Sequence, residues 1–201
     1  RSGKVVQRSE MGQASVGLAR GGGKRRDRFY NRIMFPSNYP RGEGGAMGGR
    51  VVGMGEPKYL TSQETPLCHK SQVLDGMDKA KAAMASTGIA VVVEGYTDVI
   101  ALHEAGVGNA VATLGTALTM RHIRLLSRHA QHAIVYLFDG DEAGQRAARN
   151  IFTMLRQRYP QIELKVCVPQ EKDFNDQLRF KRQQYAQPPP SRGVREIALP
   201  N

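Results

Sequence analysis

The sequence has no tryptophan, only two cysteines and five histidines, and 6% aromatic residues in all. Two cysteines, Cys68 and Cys167, are too few for a disulfide framework or a cysteine-ligated zinc centre. A reducing compartment is the default and no zinc is expected. No run of about 18 or more apolar residues occurs, so neither a transmembrane helix nor a membrane partner is expected. The opening Arg1-Ser2-Gly3-Lys4 leads into no apolar segment and carries no initiator Met. The expectation is a cytoplasmic chain without a signal peptide, and a fragment or a processed product.

What is abundant is positive charge, and it is unevenly spread. The 201 residues carry a formal charge of +11, but residues 1–50 hold 11 Lys and Arg against 3 Asp and Glu. The remaining 151 residues hold 18 Lys and Arg against 15 Asp and Glu and are close to neutral. A basic lobe attached to a near-neutral one points to a polyanionic partner, with nucleic acid the first candidate and a solvated basic arm the alternative.

The first 55 residues also hold 13 of the 22 glycines, so short strands and loops are expected there. Arg28 to Pro36 reads as one strand and Gly48 to Met54 as another. Residues 71–86 carry apolar positions at helical spacing. Ile89 to Val93 is a continuous β-branched run, the pattern of a strand covered on both faces. A helix over 97–105 opens at Thr97 and Asp98 and stops at Gly106. A strand over Asn109–Leu114 follows, then a helix from a Thr119 cap to about Ala130, a strand over His132–Phe138, a helix over 141–158 and a strand over Ile162–Val168. This β-α-β-α-β-α-β alternation predicts a doubly wound parallel α/β sheet. Residues 184–201, rich in Gln, Pro and Arg, are expected to be a disordered tail. The histidines read as packing or surface residues, because no pair has an acidic partner at ligand spacing.

In an open parallel sheet, ligands bind beyond the carboxyl ends of the strands, and acids gather at those ends. The first strand runs into Glu94-Gly95-Tyr96-Thr97-Asp98, the third into Asp139-Gly140-Asp141, and the fourth toward Asp173. An acid after a strand also serves as the cap of the next helix, a role that would suit Asp141 alone. Three acidic strand ends together favour a shared cation. Oxygen donors without His or Cys select Mg²⁺ or Mn²⁺.

These residues resemble a known family. Glu94-Gly95-Tyr96-Thr97-Asp98-Val99, Leu114-Gly115-Thr116-Ala117-Leu118-Thr119 and Phe138-Asp139-Gly140-Asp141-Glu142-Ala143-Gly144 are similar to the Toprim module of bacterial replicative primases of the DnaG type. Upstream, Arg26-Asp27-Arg28-Phe29, Asn31 to Pro36, Gly48 to Val51, Glu56 to Leu60 and Glu64 to Ser71 resemble that family's basic N-terminal subdomain. The resemblance is collinear from about residue 25 to 178. It implies a Toprim-type, Rossmann-like sheet over 87–183 and a basic, β-containing subdomain over 1–86, with 1–24 poorly ordered.

By position, the resemblance implies that Glu94, Asp139 and Asp141 form a metal-dependent catalytic centre with Asp98 and Asp173 in support. Arg50, Lys58 and Lys70 would hold template or nucleotide phosphates. The implied activity is primer synthesis on single-stranded DNA from ribonucleoside triphosphates with Mg²⁺ or Mn²⁺. Several positions depart from the family pattern. Thr61, Gln63 and Cys68 replace an Asn, a Pro and an aromatic residue, and the last acidic motif reads Asp173-Phe174-Asn175-Asp176. Pro36 to Pro40 and Gly44-Gly45 stand where the family has a regular strand, and the sequence leaves open whether that strand is kept. The family's zinc module and helicase-binding domain are not matched, so a catalytic core truncated at both ends is expected, with the replicative helicase a partner of full-length relatives. The rivals are a Toprim nuclease, a non-catalytic Toprim nucleic-acid-binding protein, and a phosphate-receiver domain. The last would leave the basic lobe unexplained.

Overall fold

The computed structural model describes residues 17–19, 25–64, 69–138, 142–169 and 194–197. Strands β1 (Gly17–Ala19) and β2 (Arg25–Asp27) pair antiparallel. A three-stranded antiparallel sheet follows, from β3 (Arg32–Asn38), β4 (Gly44–Val51) and β5 (Tyr59–Thr61), with β4 in the middle. The question left open at residues 36–47 is answered by regular strands on both sides of a tight turn. Pro36 sits on β3, an edge strand, where its missing N–H removes no ladder bond that the sheet requires. The irregularity is confined to a register shift between Ser37 and Asn38. The hairpin closes through Tyr39 and Glu43, with Gly42 at φ +95.

The second lobe is a five-stranded sheet in the order β10-β9-β8-β6-β7. Strands β6 (Ile89–Val93), β7 (Ala110–Ala112), β8 (Ala133–Leu137) and β9 (Glu163–Pro169) run parallel. The continuous apolar run of β6 has its physical reason here: β6 is paired on both edges and covered on both faces. Ala90 and Val92 meet α1 (Met77–Thr87), α3 (Met120–Leu126) and α4 (Glu142–Arg158) on one side. Val91 and Val93 meet α2 (Tyr96–Glu104) on the other. The β6-to-β7 crossover runs one way along the sheet and the next two run the other way. Right-handed crossovers therefore put α2 on the face opposite α3 and α4.

Three expectations are corrected. The helix expected over 71–86 is divided into a 3₁₀ turn at Lys70–Gln72 and α1, because Asp75 forms a β-bridge with Ala112 and Gly76 turns at φ +78. Thr97 and Asp98 do not cap α2; Gly95 holds the cap position in extended backbone, without a side-chain bond. Within the tail expected to lack order, Val194–Ile197 form β10, antiparallel to β9. The Thr119 cap, by contrast, is present and completed by His122.

Candidate active site

Chain order places the sheet's switch point between the carboxyl ends of β6 and β8, the crevice where doubly wound sheets bind ligands. Glu94 is the first residue beyond β6 and is exposed. Gly95 gives it a compact turn: a Cβ there would stand 3.0 Å from Oδ2 of Asp98. The Asp98 carboxylate thus folds back over the first turn of α2, where negative charge is favoured by the helix dipole. Phe138, the first residue beyond β8, is buried, and its N–H donates to the Cys167 carbonyl at 3.3 Å. Gly144 lies against the Phe138 ring so closely that a side chain has no room. Asp139, Asp141 and Asp173, and with them Asn175 and Asp176, lie outside the described residues. Among the described residues no three His, Cys, Asp or Glu gather as a metal cluster. Glu94 and Asp98 offer carboxylate oxygens alone, the hard donors that suit Mg²⁺ or Mn²⁺.

The acidic turn is joined to the basic lobe by an aromatic contact that pattern reasoning did not find. Tyr96, two residues past Glu94, lies over Gly48 of β4, where a Cβ would meet its ring at 2.6 Å. Phe35 stacks on the same ring at 5.1 Å between centroids, and Tyr59 tilts against it at 6.0 Å. Burial, with the nearby charge of Asp75 and the Tyr59 phenol, pushes the Tyr96 hydroxyl up to about 12. Both alternation and register explain the assembly. Phe35 opposes Gly48, Arg50 opposes Tyr59 and Gly48 opposes Thr61, so all five residues share the β3–β5 face turned toward Tyr96. A glycine at 48 is the one residue type that admits the ring so closely.

Two of the three predicted cations are placed on that face. The Arg50 guanidinium lies over the Tyr59 ring, 5.5 Å from its centroid, an attractive cation–π arrangement. Lys70 donates from Nζ to Thr61 Oγ1 at 3.0 Å. The Lys70 main chain is fixed as well: its N–H donates to Glu64 at 2.8 Å, and its carbonyl bonds Nε2 of His122 at 2.8 Å. Lys58 is different. It is exposed and anchored by its main chain, with its N–H on Glu56 and its carbonyl accepting from Val51.

A second interlobe contact is buried. Ser37 donates to Oδ1 of Asp75 at 2.6 Å. Burial raises the Asp75 carboxyl above the ordinary carboxylate range, against the lowering effects of the Ser37 bond and the charge of Lys79. Asn38 adds a 3.1 Å bond to Asp78, and Lys81 donates to the Pro40 carbonyl at 2.7 Å. Neither Tyr96 nor Asp75 carries a local sequence signal for these roles. A weak sign lay in the paired glycines of β4, which mark a close backbone approach.

Comparison with known proteins agrees with this arrangement. Residues 2–81 match the family described as DNA primase catalytic core, N-terminal domain, and residues 91–178 a Toprim-like family. The DNA primase of Pseudomonas aeruginosa is 52% identical over 126 residues, which are 63% of this chain and 19% of that protein. The catalytic core of E. coli primase superposes with a TM-score of 0.78 at 38% identity, covering 87% of this chain and 56% of that one. A DnaG primase catalytic domain bound to single-stranded DNA gives a TM-score of 0.78 at 36% identity, again over 87% of this chain and 56% of the other. The chain spans 19–23% of the length of full primase sequences such as those of Neisseria meningitidis, Synechococcus elongatus and Pseudomonas aeruginosa. With the primase N-terminal lobe and the Toprim sheet matched in order and in fold, the chain belongs to the bacterial DnaG-type primase family, as a stretch of its catalytic core.

Proposed function

We propose that this chain is the polymerising centre of a primase, which joins ribonucleoside triphosphates into a short RNA primer on a single-stranded DNA template at the replication fork in the cytoplasm. The observation that carries the reading is the Tyr96 junction. It fastens the acidic turn of Glu94 to a face bearing Arg50 and Lys70, so anionic and cationic halves of one site meet across two lobes.

Primer extension needs both halves. The attacking 3′-hydroxyl oxygen forms a bond to the α-phosphorus, the bond to the bridging oxygen breaks, and pyrophosphate departs as the hydroxyl proton passes to solvent. Glu94 with Asp139 and Asp141, supported by Asp98 and Asp173, would hold a Mg²⁺ or Mn²⁺ ion, which would supply charge neutralisation at the triphosphate. Arg50, over the Tyr59 ring, presents a planar fork suited to phosphate oxygens. Lys70 adds a point charge whose backbone is immobilised from both sides, so little positioning entropy remains to be lost. Lys58, exposed and anchored only by its main chain, is assigned to the template backbone. The relative bound to single-stranded DNA supports the choice of template.

The test is incubation of the chain with single-stranded DNA and labelled ribonucleotides in Mg²⁺ or Mn²⁺, with a chelator control. Metal-dependent, template-dependent oligoribonucleotides are expected. Shortened DNA with no labelled product would assign the site to a nuclease instead.

A further inference from the structure

Beyond the carboxylate turn, the outer side of α3 carries a second cationic surface. Arg121, Arg124 and Arg128 recur at intervals of three and four, so they share one side of the helix and of the turn that follows it. With Arg41 of the β3–β4 hairpin turn they line a groove of 560 Å³ between the two lobes. All four arginines are exposed. Glu43 is the one carboxylate in the lining, and among the described residues none of the four arginines enters an ion pair.

Like charges at such spacing oppose helix formation, and the packing of α3 requires neither Arg121 nor Arg128. Its buried side is supplied by His122, Ile123 and Leu126. Four guanidinium groups against one carboxylate leave a groove short of negative charge. Guanidinium forks match phosphate oxygens in geometry as well as in sign. The row is also long. The seven steps from Arg121 to Arg128 span about 10 Å at helical rise, which covers roughly three phosphates at the spacing of one duplex strand. An isolated anion would need one pair of these arginines. A strand uses the row.

The loop after β7 leads from the carboxyl edge of the sheet into α3, so the row begins at the edge that carries Glu94 and runs away from it. We infer that this groove is a second phosphate-tracking surface, which holds the backbone of a nucleic-acid strand passing the carboxylate edge. The inference rests on the primase reading and adds to it a path on the Toprim lobe, distinct from Arg50, Lys58 and Lys70.

The test compares the parent chain with an Arg41→Gln/Arg121→Gln/Arg128→Gln variant by fluorescence anisotropy over a salt series, using labelled single-stranded DNA and a labelled RNA–DNA hybrid. Arg124 is retained because its side chain also meets the Tyr159 hydroxyl. Thermal melting confirms that the variant is folded. The slope of log affinity against log salt is expected to become shallower by about 2 for a single strand, or nearly 3 for a duplex. The larger change identifies which strand runs through the groove. An unchanged slope on both nucleic acids overturns the inference, and capture of a polyglutamate peptide by the parent but not the variant would assign the groove to an acidic protein. A parent chain that incorporates ribonucleotides while the variant keeps the parental slope removes this groove alone. A parent that binds neither nucleic acid removes the primase reading together with it.

Discussion

His122 has no exposed surface, yet both of its ring nitrogens are engaged. Nδ1 accepts from the Thr119 N–H at 3.2 Å and Nε2 faces the Lys70 carbonyl at 2.8 Å, so the neutral ring with its proton on Nε2 satisfies both. Burial lowers its pKa below the ordinary imidazole value. The unfolded chain therefore takes up a proton first as pH falls, and the stability contributed by His122 is present above about pH 6.5 and lost below it. His122→Gln is expected to flatten the fall in stability between pH 7.5 and 5.5, read by urea denaturation at each pH. At pH 7.5 the same change should cost about 1–3 kcal/mol through the lost cap and the buried bond. Asp75 has the opposite sign. Its raised pKa means that burying the charge costs stability at neutral pH. Asp75→Asn keeps an acceptor for Ser37 and should be neutral or stabilising in thermal melts, whereas Asp75→Ala should cost about 1–3 kcal/mol by leaving the Ser37 hydroxyl unpaired. Equal losses in both variants would contradict this assignment.

The elements that could be read from the sequence are those whose pattern is local. The β-branched run of Ile89–Val93, the apolar runs within His132–Phe138 and Ile162–Val168, and Thr119 before α3 each state their structure within a few residues. Errors fell where a distant partner decides. Asp75 leaves the helical pattern because Ala112 takes up its backbone, and Pro36 is tolerated because β3 is an edge. Val194–Ile197 resemble a tail until the free edge of β9 is available to pair with them. The Tyr96–Gly48 contact is of the same kind, since its members are 48 residues apart. Gly48→Val should drive a branched side chain into the Tyr96 ring and cost about 1–3 kcal/mol by overpacking. Thermal melting would measure that loss, and primer synthesis should fall in step. A variant as stable as the parent would show that Tyr96 is not wedged there.

For the molecule as a whole, the charge imbalance raised the expectation of a polyanion and the strand-end acids that of a cation, and of the described residues Glu94 and Arg50 stand on the two sides of the Tyr96 junction. Glu94 could be placed from the sequence because strand ends are where parallel sheets bind ligands. The pairing of Arg50 with Tyr59, and the fixing of Lys70 by Thr61 and His122, could not, because they depend on strand register and on contacts across the chain. The central claim is that the acidic turn and the cationic face form one polymerising site. The most direct measurement is template-dependent ribonucleotide incorporation in Mn²⁺ by the parent chain, Glu94→Gln and Arg50→Ala, each with its melting temperature. Glu94→Gln removes a charge from an exposed turn while keeping the size of the side chain, so incorporation should fall by about 10²-fold or more in a chain that still melts cooperatively. Arg50→Ala should lower incorporation while Mn²⁺ binding, followed by titration, stays at the parental level. Full incorporation by a folded Glu94→Gln chain would contradict the account.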